Sequence, residues 1–316
     1  MKIGVIGAGK MGEKHINALL ALKDHVTLLG IFDNDIKKSQ DISEKYKIKR
    51  FPTMIDLVRS VDAISLCVPT NYHYELANLC LDENVHLLIE KPITANSSDA
   101  EKIVEKAQSK NLIVQVGHIE LYNPTFRLLM ELLKYEDIYS INFNRLNPAA
   151  IRLDSPDVVS DLMIHDVYLL EEITKGETIK EIYSIRSKKK NHHGNDHVTS
   201  ILTLQSGLIC TLTASYISKY KKRQIEIITN HSYFDVDLIN HTIKTIQVSS
   251  HYPELEDIVN QDKVSTINIS APEYDPLQMQ LLDFIQTVKA DKEPKVTAED
   301  GMTSLSIIER ILANLN

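Results

Sequence analysis

Residues 1–12, MKIGVIGAGKMG, join a short run of β-type residues, Lys2–Ile6, to the helical stretch Met11–Leu22 through the pattern G-x-G-x-x-G. In such a turn Gly7 makes the tight bend, Gly9 lets the backbone approach a pyrophosphate, and Gly12 allows close packing of helix on strand. A structural glycine loop is the alternative, but the order strand, turn, helix favours a dinucleotide site, because the helix N-terminus attracts the anion. The predicted cofactor-binding residues of the turn are Gly7, Ala8, Gly9, Lys10, Met11 and Gly12.

Short β-rich runs alternate with helical stretches through residue 118. Strands are predicted at Lys2–Ile6, Val26–Phe32, Ala63–Val68, His86–Glu90 and Leu112–Gly117. Helices are predicted at Met11–Leu22, Ile36–Tyr46, Tyr72–Glu83 and Ser97–Ser109. Strands that alternate with helices form parallel sheets, so residues 1–118 are predicted to be an α/β Rossmann domain that binds the dinucleotide.

The sequence pattern changes from about residue 142 onward. Runs of alternating apolar and polar residues, such as HVTSILTL (197–204) and VSTINIS (264–270), indicate antiparallel strands with one buried face. Two predicted helices, Pro276–Lys289 and Ala298–Leu315, follow. Residues 119–316 are therefore predicted to form an α+β domain with an open, mostly antiparallel sheet that shapes the substrate site.

The composition limits the class of protein. The 316 residues contain 35 Lys and Arg against 43 Asp and Glu, a formal net charge of −8, which argues against general nucleic-acid binding. Cys67, Cys80 and Cys210 lie far apart in apolar runs, so we expect buried thiols in a reducing compartment and neither disulfides nor a zinc site. No apolar stretch approaches the roughly 18–20 residues that span a bilayer, and a cytoplasmic location without membrane contact is predicted.

Two basic segments, 186–197 and 216–223, suggest a metal or nucleic-acid site at first sight. Gly194-Asn195 is turn chemistry between strand-like runs, and neither segment has the spacing of a closed zinc site. Both segments are predicted to be solvated loops between strands, and no bound metal is predicted.

The second predicted strand is followed by Asp33, about 20 residues after the glycines, where a carboxylate can bind the hydroxyls of the adenosine ribose. Such a carboxylate repels a 2′-phosphate, so NAD is favoured over NADP. Lys37 and Lys38 lie one helical turn further on and can assist a 2′-phosphate, which keeps NADP as the less favoured alternative. The alternative is that Asp33 is a solvated acid at the end of a strand and has no role in binding.

Two more strand ends carry residues suited to a cofactor site. The strand Ala63–Val68 leads into PTNYH (69–73), and the strand His86–Glu90 leads into EKP (90–92). Doubly wound sheets bind ligands at the carboxyl ends of their strands, and a lysine held there can polarise a substrate oxygen or exchange a proton. The predicted cofactor residues of these turns are Pro69, Thr70, Asn71, His73, Glu90 and Lys91.

Residues 157–167, DVVSDLMIHDV, have the pattern of a helix. Asp161 and His165 stand at positions i and i+4 and share one face, whereas Asp166 lies about 100° away around the helix. A histidine beside a carboxylate suits a general base, since the acid orients the imidazole and stabilises its cation. The EKP sequence upstream favours catalytic roles over the alternative of a pair that only packs the helix.

These motifs, in this order, resemble those of the glucose-fructose oxidoreductase, inositol dehydrogenase and rhizopine-catabolism oxidoreductase family (Gfo/Idh/MocA). The resemblance includes GAGKMG (7–12), VPTNYH (68–73), EKP, the D-x-x-x-H element and DPLQMQLLDFIQTVKADKEPKVTAEDGMTSLSII (275–308), so it spans nearly the whole chain. It implies a Rossmann domain, a second domain whose open sheet mediates oligomers, and NAD(P)-dependent oxidation or reduction of sugars and polyols. Lys91, Asp161 and His165 match the family's catalytic lysine, aspartate and histidine.

The chain also departs from the family pattern. Tyr168 stands where inositol dehydrogenases have an acid, which disfavours an inositol substrate. Residues 117–124, GHIELYNP, resemble the GHIERFNP of nucleotide-sugar 3-dehydrogenases, with Leu121 in place of the arginine. Asn123 is predicted either to bind a substrate hydroxyl or to cap the next helix. Arg152 is predicted either to pair with a substrate phosphate or carboxylate or to lie on the surface.

The sequence thus predicts an NAD(P)-dependent oxidoreductase that moves a hydride between a sugar or nucleotide-sugar alcohol carbon and the nicotinamide. His165 removes the hydroxyl proton, Asp161 orients His165, and Lys91 stabilises the alkoxide or carbonyl oxygen. A non-catalytic dinucleotide-binding sensor, and a reductase of a dihydrodiol or linear tetrapyrrole, are the alternatives. Apolar residues on both faces of strands such as 208–212 further predict a homodimer or homotetramer through the second domain's sheet.

Overall fold

The computed structural model describes residues 1–148, 157–187, 195–248 and 264–315. The chain forms two compact units: residues 1–119 with 275–306, and residues 120–274 with 307–316. The predicted boundary after residue 118 lies next to the observed one. The predicted second domain included the segment 275–306, however, and the structure places this segment in the first unit.

The helices and strands of the described residues follow the predicted order. The strands are β1 Lys2–Ile6, β2 Thr27–Phe32, β3 Lys49–Arg50, β4 Ala63–Leu66, β5 His86–Glu90, β6 Val114–Gly117, β7 Ile138–Pro148, β8 Ile179–Arg186, β9 His197–Leu204, β10 Ile209–Ser215, β11 Ile217–Thr229, β12 Ser232–Asp237, β13 Thr242–Val248 and β14 Val264–Ser270. The helices are α1 Lys10–Ala21, α2 Ile36–Tyr46, α3 Met54–Val58, α4 His73–Asp82, α5 Ser97–Ser109, α6 Pro124–Leu132, α7 Ile164–Thr174, α8 Pro276–Ala290 and α9 Ala298–Ala313.

The first unit is built on a six-stranded parallel sheet in the order β3-β2-β1-β4-β5-β6. This order confirms the predicted Rossmann fold, in which ligands bind at the carboxyl ends of the strands where the order reverses, next to β1 and β4. The N-cap residues of α2, α3 and α5 are Asp35, Thr53 and Asn96. Each of their side chains accepts a hydrogen bond from a backbone N–H of the first helical turn and so stabilises the start of the helix.

The helix α8 belongs to the first unit because it buries an apolar face against α1. Leu277, Leu281 and Phe284 recur at helical spacing and are all buried. They share one hydrophobic core with Ile16 and Leu19 of α1. A segment that lies far along the chain therefore completes the dinucleotide domain.

The second unit is built on an open eight-stranded sheet in the order β14-β13-β12-β11-β7-β10-β9-β8. Neighbouring strands are antiparallel except β7 and β10, which confirms the predicted mostly antiparallel sheet. Residues 217–223, predicted as part of a loop, instead form the start of β11. A register shift between Ile217 and Lys222 breaks the alternation of side chains there, which explains why the strand pattern was hidden.

Three further predictions concern the cysteines, membrane-spanning helices and the basic segment 186–197. Cys67, Cys80 and Cys210 are buried free thiols, as predicted. Among the described helices, none is long and apolar enough to cross a membrane. The centre of the other basic segment, 188–194, lies outside the described residues.

Candidate active site

The glycine-rich turn has the geometry that a dinucleotide site requires. Gly7 has φ +102°, a backbone conformation that favours glycine, and a Cβ added there would lie 2.5 Å from the carbonyl oxygen of Cys67. A Cβ at Gly12 would lie 1.8 Å from the carbonyl oxygen of Gly7, so glycine is required for this contact. A Cβ at Gly9 would meet no heavy atom within 4 Å. Gly9 therefore leaves open space in which a phosphate can approach the backbone.

The N-terminus of α1 and Asp33 complete this part of the site. Gly9 is the N-cap of α1 and brings no side chain to the first N–H groups, which suits a bound anion. Asp33 Oδ2 accepts a hydrogen bond from the Ala8 N–H at 2.6 Å, and Oδ1 accepts one from the Asp35 N–H at 2.7 Å. A carboxylate has about four acceptor positions, so ribose hydroxyls can also donate to Asp33. These residues fit an adenine dinucleotide.

The predicted residues after β4 are Pro69, Thr70 and Asn71. Pro69 and Asn71 are exposed beyond the carboxyl end of β4, where a cofactor can reach them. The cofactor contact predicted for His73 stays a prediction. Its ring is buried, with Nδ1 2.8 Å from the carbonyl oxygen of Pro92 and Nε2 2.9 Å from that of Val68. Burial lowers the pKa of His73, and a neutral imidazole has a single N–H, so His73 donates to one of these two carbonyl oxygens.

Lys91 lies in the turn after β5 and is partly exposed. The preceding residue, Glu90, contacts His15 of α1, whose Nε2 lies 2.9 Å from Oε1 of Glu90. Nδ1 of the same ring lies 2.7 Å from the hydroxyl oxygen of Ser65. Glu90 therefore has a protein partner, and the cofactor contact predicted for it stays a prediction.

Another buried histidine, His118, lies in the electrostatic field of Lys91. Its side chain is buried within the first unit. Burial, together with the positive charge of Lys91, lowers the pKa of His118 to about 3. The imidazole is therefore neutral at physiological pH and adds no second positive charge near Lys91.

In the second unit, Asp161 and His165 lie on one continuous helical segment. A π-helical turn, Val159–Met163, leads directly into α7, in place of the plain α-helix predicted from the sequence. Such π turns are frequent at functional sites. Between residues 158 and 170, only Ser160, Asp161 and His165 are not buried. The two predicted catalytic side chains therefore occupy the accessible polar strip of an otherwise buried segment.

The carboxylate of Asp161 is held by Tyr216, which lies between β10 and β11. The Tyr216 hydroxyl donates a hydrogen bond to Oδ2 of Asp161 at 2.5 Å. A hydrogen bond to a carboxylate is stronger than one between neutral groups, so this contact fixes the Asp161 side chain.

The residue after His165, the buried Asp166, belongs to a charge network with the buried Glu120 and Arg145 and the half-buried Arg223. Arg145 donates to Oδ1 of Asp166 through Nε at 2.9 Å and Nη2 at 2.7 Å, and to Oε1 of Glu120 through Nη1 at 3.1 Å. Arg223 Nη1 donates to the same Glu120 oxygen at 2.7 Å. Burial raises the pKa of Glu120, but the two guanidinium groups outweigh it and hold the pKa below its usual range. The network ties α7 to β7 and β11.

The two predicted substrate residues have different outcomes. Asn123 is buried; its Oδ1 accepts a hydrogen bond from the Thr125 N–H at 2.9 Å, and its Nδ2 donates to the carbonyl oxygen of Leu238 at 3.1 Å. These contacts favour the cap of α6, and the substrate contact of Asn123 stays a prediction. Arg152 lies outside the described residues.

Sequence reasoning missed His15, Tyr216 and the partners of Asp166. A histidine beside the apolar Ile16 on the buried side of α1 was a signal for His15. No local pattern indicated Tyr216 or Arg223, because their partners lie 55 and 103 residues away along the chain.

Two protein-family models match the chain. Residues 1–118 match the oxidoreductase family with an NAD-binding Rossmann fold, GFO_IDH_MocA. Residues 140–234 match the GFO/IDH/MocA C-terminal domain.

Known relatives cover most of the chain. UDP-N-acetylglucosamine 3-dehydrogenase of Acidithiobacillus ferrooxidans is 30% identical over 243 residues, 77% of this chain and 76% of that protein. Myo-inositol 2-dehydrogenase of Thermotoga maritima is 26% identical over 322 residues, 96% of this chain and 93% of that protein. A solved structure of UDP-N-acetylglucosamine 3-dehydrogenase GnnA from Acidithiobacillus ferrooxidans has a TM-score of 0.91 and 25% identity, covering 100% of this chain and 97% of that one. The chain belongs to the GFO/IDH/MocA family of NAD-binding oxidoreductases.

Proposed function

We propose that this protein is an NAD-dependent dehydrogenase acting on an alcohol carbon of a sugar or nucleotide sugar. The observation that carries the proposal is the accessible pair of Asp161 and His165 on an otherwise buried helical segment. An acid and a histidine in this arrangement suit proton transfer, and a non-catalytic sensor has no need of them. The open glycine turn of the first unit supports the dinucleotide.

The residues of the first unit supply the cofactor contacts. The turn from Gly7 to Gly12 and the N-terminus of α1 would hold the pyrophosphate, and Asp33 would accept hydrogen bonds from the ribose hydroxyls. Residues 69–71 lie in the turn that follows β4, and Lys91 lies in the turn that follows β5, the next two strands after β1 in the sheet. Hydride acceptance is the chemistry that the nicotinamide supplies when bound.

The acid–base chemistry falls to His165, Asp161 and Lys91, with Tyr216 in support. His165 accepts the proton of the substrate hydroxyl, and the Asp161 carboxylate orients the imidazole and stabilises its cation. Tyr216 holds Asp161 in place through its hydroxyl. The Lys91 ammonium group donates to the substrate oxygen as that oxygen becomes an alkoxide and then a carbonyl.

A nucleotide sugar is the substrate class that we favour within this proposal. Tyr168 replaces the acid of inositol dehydrogenases. It is buried, and its phenol lacks the two charged acceptor oxygens with which a carboxylate binds substrate hydroxyls. The relative that is 30% identical is named for UDP-N-acetylglucosamine, which supports the same class.

A panel of UDP-sugars, simple sugars and inositols tests the function. With NAD present, we expect a UDP-sugar to raise the thermal midpoint and to produce reduced nicotinamide, seen by its absorbance. Inositols are the matched negative set. NAD binding without turnover of any sugar would favour the sensor, and turnover of inositols alone would contradict the nucleotide-sugar assignment.

We also propose a homodimer or homotetramer formed through the open face of the second unit's sheet. Tyr183, Ile201, Ile209 and Ile228 are exposed on this face by at least 41% of their surface. Strand register places Tyr183 beside Ile201, and Ile209 and Ile228 on either side of Ser140. An apolar band of this kind is suited to a partner surface. Light scattering should show a dimer or tetramer that Ile209→Asp dissociates; a wild-type monomer would contradict the proposal.

A cytoplasmic location completes the proposal. The three cysteines are free thiols, which persist in reducing compartments. Cell fractionation should recover the protein with cytosolic markers, and recovery from an oxidising compartment would contradict this assignment.

A further inference from the structure

The residues on either side of Lys91, Glu90 and Pro92, each contact a buried histidine. On one side, Glu90 contacts Nε2 of His15 at 2.9 Å. On the other side, the carbonyl oxygen of Pro92 lies 2.8 Å from Nδ1 of His73. Both rings are at most 1% exposed. Buried imidazoles from two different helices, α1 and α4, therefore contact the short segment that presents Lys91.

The contacts of His15 connect three parts of the first unit. The residue lies three positions after Gly12, in the helix whose N-terminus is assigned to the pyrophosphate. Its other ring nitrogen, Nδ1, lies 2.7 Å from the hydroxyl of Ser65 in β4. A buried polar group is costly unless it is hydrogen-bonded, and both nitrogens of His15 have partners. The ring thus links the phosphate-binding helix to β4 and to the turn that carries Lys91.

Packing confines the Glu90 side chain to this contact. A Cβ added to Gly117 would lie 2.9 Å from Oε1 and 3.1 Å from Cα of Glu90, so glycine in β6 leaves the room that the carboxylate occupies. The Glu90 side chain is only 13% exposed. Its position is therefore set by His15 on one side and by β6 on the other.

The charge state of His15 strengthens the contact. Burial lowers the pKa of the imidazole, but the neighbouring Cys67 and Glu90 outweigh burial and raise the pKa to about 10. At neutral pH the ring is a cation that donates to the Glu90 carboxylate, and hydrogen bonds between charged groups are the stronger kind.

We propose that His15 is a positioning residue that fixes Glu90, the residue before Lys91, and connects that lysine to the dinucleotide-binding helix. This inference rests on the proposed function, in which Lys91 contacts the substrate oxygen. Its physical basis is orientation, since a displacement of about 1 Å in a reacting group can reduce a rate about 10²-fold.

The test measures both the NMR signal of Lys91 and the turnover rate of the enzyme. Lysines reductively methylated with ¹³C-formaldehyde give dimethylamine NMR signals, and the signal of Lys91 is identified by its loss in Lys91→Arg. The variants are His15→Leu, which removes both contacts, and His15→Gln, which restores a neutral donor toward Glu90. His25→Gln, at an exposed histidine, is the matched control.

We expect His15→Leu to shift the Lys91 signal and the midpoint of its pH titration, and to lower kcat about 10²-fold with little change in KM. His15→Gln should recover part of each effect, and His25→Gln should match wild type. An unchanged Lys91 signal and titration in His15→Leu would overturn the proposal, even if kcat falls. If His15→Leu does not fold, the same readout in His15→Gln and Glu90→Gln decides.

The proposed function and the positioning role of His15 can be disproved separately. If wild type reduces NAD with none of the sugars, the proposed function fails, while the Lys91 signal still reports whether His15 positions the lysine. If wild type turns over and the signal does not respond to His15, only the positioning role fails.

Discussion

The Tyr216 hydroxyl donates a hydrogen bond to Oδ2 of Asp161 at 2.5 Å. The two residues are 55 positions apart, and the contact joins the turn between β10 and β11 to the π-helical turn that precedes α7. Asp161 is therefore held from outside its own helix while it remains partly exposed. An acid that is both fixed and accessible is suited to orient a neighbouring imidazole.

Removal of this hydroxyl should weaken catalysis without unfolding the protein. A hydrogen bond to a charged group contributes about 1.5–3 kcal/mol, so Tyr216→Phe should lower kcat about 10- to 100-fold. Tyr220→Phe is the matched control, because Tyr220 lies nearby on β11 and is 59% exposed. Steady-state kinetics would contradict the role of Tyr216 if both variants kept wild-type kcat.

The buried network around Arg145 should dominate the stability of the second unit. Arg145→Met leaves Asp166 and Glu120 buried with one cation fewer, and loss of one partner of a buried pair costs about 3–5 kcal/mol. Arg59→Met removes an ion pair with Glu83 in which the arginine side chain is 64% exposed, and exposed pairs contribute about 0–1 kcal/mol. Urea unfolding followed by circular dichroism measures both; equal effects would contradict the importance of burial.

His15, which faces both Cys67 and Glu90, should make stability depend on alkaline pH. The pKa of His15 is raised from 6.5 to about 10 in the folded protein, so its stabilising effect is fully present below pH 6.5 and is lost as the pH rises through about 10. The free energy of unfolding of wild type should therefore fall toward that of His15→Gln across this range.

The Cys67 thiol also faces His15 and needs its own control. Because Cys67 raises the pKa of His15 more than Glu90 does, Cys67→Ala should reduce the pH dependence, and the part that remains belongs to the Glu90 contact. A constant difference between wild type and His15→Gln from pH 6.5 to about 10 would show that the ring is neutral in the folded state.

Asp33 should determine the choice between NAD and NADP. Its carboxylate supports Ala8 of the glycine turn and repels a 2′-phosphate. Asp33→Ser should weaken NAD binding and reduce the preference for NAD over NADP by at least about tenfold, or about 1.4 kcal/mol. Lys38 pairs with Asp35 in the free protein, so Lys38→Ala should change this preference less. A wild-type preference for NADP by an order of magnitude would contradict the assignment.

Much of the first unit was predictable because its signals are local. Strands β1 and β5 have the predicted bounds, as do helices α2 and α5, since each is marked by an apolar pattern between turn or cap residues. The missed elements, β3 and α3, are two and five residues long, too short for a periodic pattern to be recognised.

The candidate site was predictable only where a motif is contiguous. Asp161 and His165 are four residues apart, and their shared accessible strip follows from helical periodicity. The Arg145–Glu120 and Arg223–Glu120 contacts join residues 25 and 103 positions apart and depend on the pairing of β7 with β11. Such contacts are products of tertiary structure, and no sequence period encodes them.

We propose that Lys91, Asp161 and His165 carry out dehydrogenation of a sugar alcohol in an NAD-binding enzyme. The most direct measurement is the rate of NAD reduction with the UDP-sugar that wild type turns over, compared with Lys91→Ala and His165→Ala, with NAD affinity measured in parallel. Each variant should lose about 10²–10³-fold in kcat, while His165→Ala keeps its affinity for NAD. Near wild-type kcat in both variants would contradict the claim.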